Sequence, residues 1–269
     1  MSRSRLLVAL VVAVISVLGY FGSSVFNPIT QEKQHVGDIT PEQEVALGLQ
    51  AAPEMAQQFG GLDPDPKAQA RVDQVGQRLV SRSAAGKSPY RYEFHLLNDS
   101  STINAFALPG GQVFITEGLL RQLHTEGELA GVLGHEIGHV VARHGAEHIA
   151  KQQLTQGLTG AAVLATYDPN NPSSQNSAAV AAMIGQLVTM RFGRQDELEA
   201  DQLGVRLTGE SGYDPNSMVA LMKILARSSE GGRPPEFFST HPSPENRIQR
   251  IEQAIKEQYP NGVPAGLEK

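Results

Sequence analysis

Residues 132–145 read VLGHEIGHVVARHG and hold three of the chain's eight histidines. Val132, Leu133, Val140 and Val141 flank a polar trio, so the stretch reads as a buried helix rather than a solvated one. A buried helix carrying two histidines and an acid must supply partners for them, because unpaired polar groups are costly away from water. A metal ion is the best partner available. Positions i and i+4 of an α-helix lie about 40° apart around the axis. His135 and His139 therefore project together and can share one ion. Glu136 lies about 100° round from His135, close to such an ion but not beneath it. That position suits a base acting on water rather than a ligand. Neutral imidazole is a good zinc ligand, and zinc lowers the pKa of water towards about 7.

A catalytic zinc needs a third protein ligand. The HExxHxxGxxH arrangement is excluded, because Ala142 and Gly145 stand where it needs glycine and histidine. His144 is about 140° round the helix from His139 and cannot join it unless the helix breaks. It reads as a hydrogen-bonded structural histidine, and His148 is likewise out of line. An acid on a second helix is the alternative. RFGRQDELEADQLG, residues 191–204, places Glu197 and Asp201 on one helical face and points Glu199 elsewhere. The chain between His139 and Glu197 leaves room for a helix out and a helix back. Glu197 as ligand and Asp201 as the carboxylate orienting a ligand histidine make a consistent set.

The chain contains no cysteine, which excludes thiolate zinc sites, cysteine catalysis and disulfides. A net charge of -6 with no basic block argues against nucleic acid as a partner. Arg3 and Arg5 precede an uncharged run from Leu6 to Phe26, long enough for a helix to cross a bilayer. Residues 1–26 read as a signal anchor or a cleaved signal peptide. Either way the rest of the chain faces away from the cytoplasm.

Residues 27–64 are expected to form a polar linker and then a helix. This helix is capped by Thr40 with Gln43, begins at Pro41, and kinks at Pro53. Residues 65–258 form the main domain, and residues 259–269 a loose tail. Within the domain, Asp65-Pro66 opens a helix with Val72, Val75 and Leu79 on one face. Tyr92–Asn98 alternates as a strand, and Pro109-Gly110-Gly111 joins two strands into a hairpin. Thr116 and Thr125 cap helices, the second running to about His144. Residues 167–177 form a loop. Further helices run from about Gln195 to Thr208 and from Ser243-Pro244 onward, the last with Ile248, Ile251 and Ile255 on one side. This pattern is an α+β fold, mostly helical with a small antiparallel sheet.

HEIGH, then ELEAD, then THPSPENRI, with NAFALPGG ahead of them, resembles the Ste/HtpX-type zinc endopeptidases, which include the CAAX prenyl proteases. The single N-terminal hydrophobic segment is most similar to the periplasmic members. The resemblance implies a zincin-type fold with HExxH on a central helix and one zinc ion per chain. It maps the ligands onto His135, His139 and Glu197, the base onto Glu136, and the supporting acid onto Asp201. It also implies that Asn104, Ala105 and Phe106 lie on an edge strand where extended substrate adds by backbone hydrogen bonds. His241 would hold the oxyanion or take the fourth zinc position. Unfolded or extended envelope proteins are the implied substrates. Gly193-Arg194 departs from the family pattern, where serine often precedes the arginine. The missing cysteine departs from the lipoprotein members. A rival reading is a chaperone-like binding protein whose zinc site stays closed, with residues 151–190 plugging the cleft.

Overall fold

The computed structural model describes residues 3–166, 192–229, 234–242 and 246–269. The uncharged run Leu6–Phe26 splits between two elements. Helix α1 spans Arg3–Gly22, and strand β1, Ser24–Asn27, pairs antiparallel with β2, Glu32–His35. The single spanning helix expected over that run is therefore cut short, because Val25 and Phe26 join a ladder instead. Among the described residues no helix is long and apolar enough to cross a membrane.

The expected linker is also structural. Asn27 donates its side-chain amide to the Val141 carbonyl (2.7 Å), and Gln34 donates to that of Ala142. The hairpin thus satisfies free carbonyls at the end of the helix that carries HEIGH.

Helix α2, Pro41–Gln58, opens with the Thr40–Gln43 capping box and contains Pro53; α3, Pro66–Arg82, is capped by Asp65 and buries Val72, Val75 and Leu79. A short 3₁₀ turn, Ala84–Lys87, leads to strands β3, Glu93–Leu97, β4, Ala105–Leu108, and β5, Gln112–Thr116, in the spatial order β3-β5-β4. β4 and β5 form the expected antiparallel hairpin, and β3 joins β5 in parallel. β4 is thereby an edge strand, paired within the sheet on one side only.

Helix α2 rests on the hairpin turn at Gly48, where an added Cβ would lie 2.1 Å from the Pro109 carbonyl oxygen. A methyl group there forces helix and turn apart, at a cost of roughly 1–3 kcal/mol. Gly48→Ala is accordingly expected to lower the thermal unfolding midpoint by several degrees. An unchanged midpoint in a calorimetric scan would show that this contact yields freely.

Thr116 caps α4, Glu117–Leu120, and the Thr125–Glu128 capping box opens α5, Glu126–Val141. Every residue of α5 from Gly127 to Val141 is buried, which accounts for its apolar character all round. The helix was expected to continue to His144. It ends at Val141 instead, and Arg143 takes a left-handed conformation (φ 57°) before α6, His144–Thr166. For a residue with a Cβ that conformation costs roughly 1–2 kcal/mol. Arg143 is held in it by Glu44 (3.0 Å) and the Ile39 carbonyl (2.7 Å), while Tyr90 donates to the same carboxylate.

Helix α7, Arg194–Glu210, packs along α5. Small residues bring the two close: a Cβ on Gly138 would meet the Ala200 carbonyl at 3.0 Å, and one on Gly204 would meet the His135 backbone nitrogen at 3.2 Å. The unusual Gly193 offers no capping side chain, but Asp196 accepts from its backbone N–H at 2.8 Å. Helices α8, Ser217–Ser228, α9, Phe237–Thr240, and α10, Arg247–Gln258, complete the described fold. Ile251 and Ile255 are buried as expected and Ile248 packs partly against the core. The expected loop at 167–177, the helix opening at Ser243-Pro244 and much of the expected plug lie outside the described residues.

The terminal segment, expected to be loose, is docked. Glu268 exchanges backbone hydrogen bonds with Gly212 and Asp214 and pairs with Arg78. Arg78 also lies over the ring of fully buried Tyr213, 4.0 Å from its centroid.

Candidate metal centre

The approach of α7 to α5 brings Glu197 and Asp201 beneath His135 and His139. Their Nε2 atoms are 3.1 Å apart. Glu197 Oε1 lies 3.4 Å from His139 Nε2, and Glu197 Oε2 lies 3.5 Å from His135 Nε2. His241, just after α9, inserts Nδ1 at 3.0 Å from Glu197 Oε1 and 3.4 Å from His135 Nε2. These four residues are the group of donors able to hold a metal ion among the described residues, with one atom from each lying within 4.8 Å of the others. An ion with four tetrahedral bonds of about 2.0–2.1 Å keeps its donors about 3.3 Å apart. Five of the donor distances, taking whichever Glu197 oxygen is nearer, are 3.0–3.5 Å and so lie near that figure, and the donor set suits zinc. Glu197 Oε2 supports the same fit, being buried without a hydrogen-bond partner among the described residues, with Arg247 as an ionic neighbour only.

Glu136 is buried beside the group with neither oxygen hydrogen-bonded among the described residues, and His241 Nε2 lies 3.5 Å from its Oε1. Burial pushes its carboxyl above the usual range. Glu197 goes the other way. Burial opposes its charge, but His241 and hydrogen bonds from His135 and His139 hold it far below the usual range. Burial keeps His139 neutral, its pKa well below the ordinary imidazole value. Burial also opposes charge on His135, yet Asp201 and then Glu197 outweigh it and raise the ring to about 9. A cation entering there must displace a proton.

Asp201 is placed where the spacing put it, accepting from His135 Nδ1 at 3.0 Å. Arg247, the second residue of the NRI in THPSPENRI, clamps Asp201 through two 2.8 Å hydrogen bonds and reaches Glu197 Oε2 at 3.2 Å. No helical spacing marks Arg247 in the sequence, and its place in that motif is its one signal. Burial again opposes the Asp201 charge, but Arg247 and then His135 hold its carboxyl below the usual range.

Asn104 is buried at the start of the edge strand with its side-chain oxygen unpaired. Ala105 is buried as well. Phe106 stacks on Phe114 and packs against Phe59, with centroids 4.8 and 5.4 Å away, so its ring belongs to the core and not to the metal group. The carbonyl of Ile103 accepts from the Phe237 N–H at 3.1 Å. The segment bearing His241 is therefore bonded to the approach of the edge strand.

The sequence profile of Peptidase family M48 matches residues 66–255. The chain belongs to this family. It is 37% identical over 190 residues to the beta-barrel assembly-enhancing protease of Escherichia coli K12, covering 68% of this chain and 38% of that protein. It is 32% identical over 249 residues to the mitochondrial metalloendopeptidase OMA1 of Schizosaccharomyces pombe, covering 88% of this chain and 68% of that one. The OMA1 of Arabidopsis thaliana is 34% identical over 159 residues, 59% of this chain and 31% of its own length. The chain thus matches well under half of the beta-barrel assembly-enhancing protease, while the family match takes in the whole metal group. Membership of M48 accords with the Ste/HtpX-type resemblance and with a mostly helical domain built around HEIGH.

Proposed function

We propose that this chain is a zinc-dependent endopeptidase that hydrolyses peptide bonds in unfolded or misfolded proteins of the cell envelope. The observation that carries the reading is the close buried cluster of His135, His139, Glu197 and His241 with Glu136 beside it. When bound there, zinc polarises water and the substrate carbonyl. Glu136 takes the proton from the attacking water and passes it to the leaving amine. Asp201 fixes the proton of His135 on Nδ1, leaving Nε2 free to bind. Substrate lies along β4 by backbone pairing, with Asn104 at its start and Ala105 and Phe106 contributing main-chain groups.

His241 takes the fourth position in a resting arrangement. The ring sits among the donors, and its segment holds the Ile103 carbonyl that an extended substrate would need. The same arrangement would serve a binding protein with a closed site, but a buried acid poised beside the donors favours the enzyme. The uncharged stretch that begins within α1 takes the chain into the envelope, as an anchor or as a cleaved signal. Leu7, Leu10, Ile15, Leu18 and Phe21 of α1 are exposed, as suits contact with lipid.

Full-length protein, stripped by a chelator and reloaded with zinc, tests the activity on a disordered protein substrate followed by gel. Cleavage should vanish on stripping and return with zinc. Tight zinc binding with no cleavage in any variant would favour the binding protein. His241→Ala should raise basal cleavage several-fold if the ring blocks the fourth position. A fall in kcat with zinc retained would assign His241 to the oxyanion instead.

A further inference from the structure

We propose that His144 is the positioning residue for His139, acting with Glu199 as a hydrogen-bonded relay behind that ligand. The inference rests on the zinc reading above. The two candidate ligand histidines of α5 are backed differently. His135 donates from Nδ1 to Asp201, a carboxylate clamped by Arg247. Among the described residues His139 faces no carboxylate on that side. Its Nδ1 lies 2.8 Å from Nδ1 of His144, whose Nε2 lies 3.2 Å from Glu199 Oε2.

With His139 Nε2 aimed into the metal group, the proton of the neutral ring must sit on Nδ1. His139 then donates and His144 Nδ1 accepts. His144 must in turn carry its proton on Nε2, where the Glu199 carboxylate accepts it. Each nitrogen of the relay has one role, and together they define the His139 tautomer. Phe192 stacks on the His139 ring at 4.0 Å and 23°, restraining its tilt.

An unbroken helix would carry His144 away from His139. The left-handed Arg143 turns the chain so that the two rings meet, and Glu44 holds that break from α2. The buried Glu44–Arg143 pair thus serves the metal group at one remove. Glu199, which the helical spacing of α7 points away from the ion, closes the relay with a side chain that is 27% exposed.

The test uses full-length His144→Ala, His144→Asn and His144→Gln. Zinc affinity is read by competition with a chelator, the ligand field by the visible spectrum of the cobalt-loaded protein, and folding by the melting midpoint of the metal-free form. The amide oxygen of Asn falls near the place of Nδ1, whereas that of Gln falls near Nε2. Ala and Gln should therefore bind zinc about 10–100-fold more weakly and shift the cobalt bands, while Asn stays close to the parent. Residues that merely filled space would not rank in that order. Parental affinity and spectrum in His144→Ala, or Asn as weak as Gln, would overturn the proposal. Should the Ala protein fail to fold, Glu199→Gln at its partly exposed position should still weaken zinc several-fold, and no change would equally overturn the relay. A parent that binds no zinc would fail the metal reading itself, a separate result.

Discussion

Glu136→Gln is expected to slow peptide-bond cleavage by about 10²–10⁴-fold, the usual contribution of a general base, with zinc content unchanged. Glutamine keeps the size and shape of the side chain and removes its ability to take a proton. Glu136 stands outside the four-donor group, so its loss leaves the ion's protein partners intact. Its setting suits a base. The carboxylate is fully buried and accepts no hydrogen bond from the described residues, and burial raises its pKa above the ordinary carboxylate value. A base with no competing hydrogen bond and a raised pKa is a better proton acceptor than an ordinary solvated carboxylate. Initial rates on a disordered protein, with zinc measured in the same samples, decide the matter. Repeating the pair in a His241→Ala background separates a slow chemical step from a closed site. A Glu136→Gln protein as active as its parent, with full zinc, would sink the assignment of the base.

The centre was legible wherever its logic is local. Spacing by four on one helix paired His135 with His139 and Glu197 with Asp201. Capping boxes at Thr40 and Thr125 located the starts of α2 and α5. What escaped reading depends on partners distant in the chain. Asn27 binds a carbonyl 114 residues away, and Arg78 pairs with Glu268 190 residues away. Neither the β1–β2 hairpin nor the docked terminus therefore shows a periodic signal. The break at Arg143 escaped for a related reason. No residue of VVARHG marks a break at Arg143, the one glycine lying two positions later inside α6, and the left-handed turn is held from outside by Glu44 of α2. With the break unseen, His144 read as an isolated structural histidine. His241 was legible only through likeness to a family, since a lone histidine in a loop carries no spacing to argue from.

Arg247→Met is expected to destabilise the protein by roughly 3–5 kcal/mol, the cost of breaking a buried ion pair from one side. At about 2–4 °C per kcal/mol for a domain of this size, the melting midpoint should fall on the order of 10 °C. Arg247 is 3% exposed and makes two 2.8 Å hydrogen bonds to Asp201, itself 2% exposed. Methionine fills much of the volume but leaves that carboxylate facing only His135, and leaves Glu197 without its 3.2 Å cation contact. The loss should therefore come from uncompensated charge more than from packing. A second substitution separates the two. Asp201→Asn, added to Arg247→Met, removes one stranded charge and should recover part of the lost stability, so that the double variant melts above Arg247→Met alone. Additive losses would mean that Arg247 acts through packing. Zinc should narrow the gap between parent and Arg247→Met, because the ion neutralises Glu197 from the other side, and chelation should widen it. The cation of α10 would then balance the acids of α7 before metal arrives, which explains how three buried acids and three histidines can share one pocket in a folded chain.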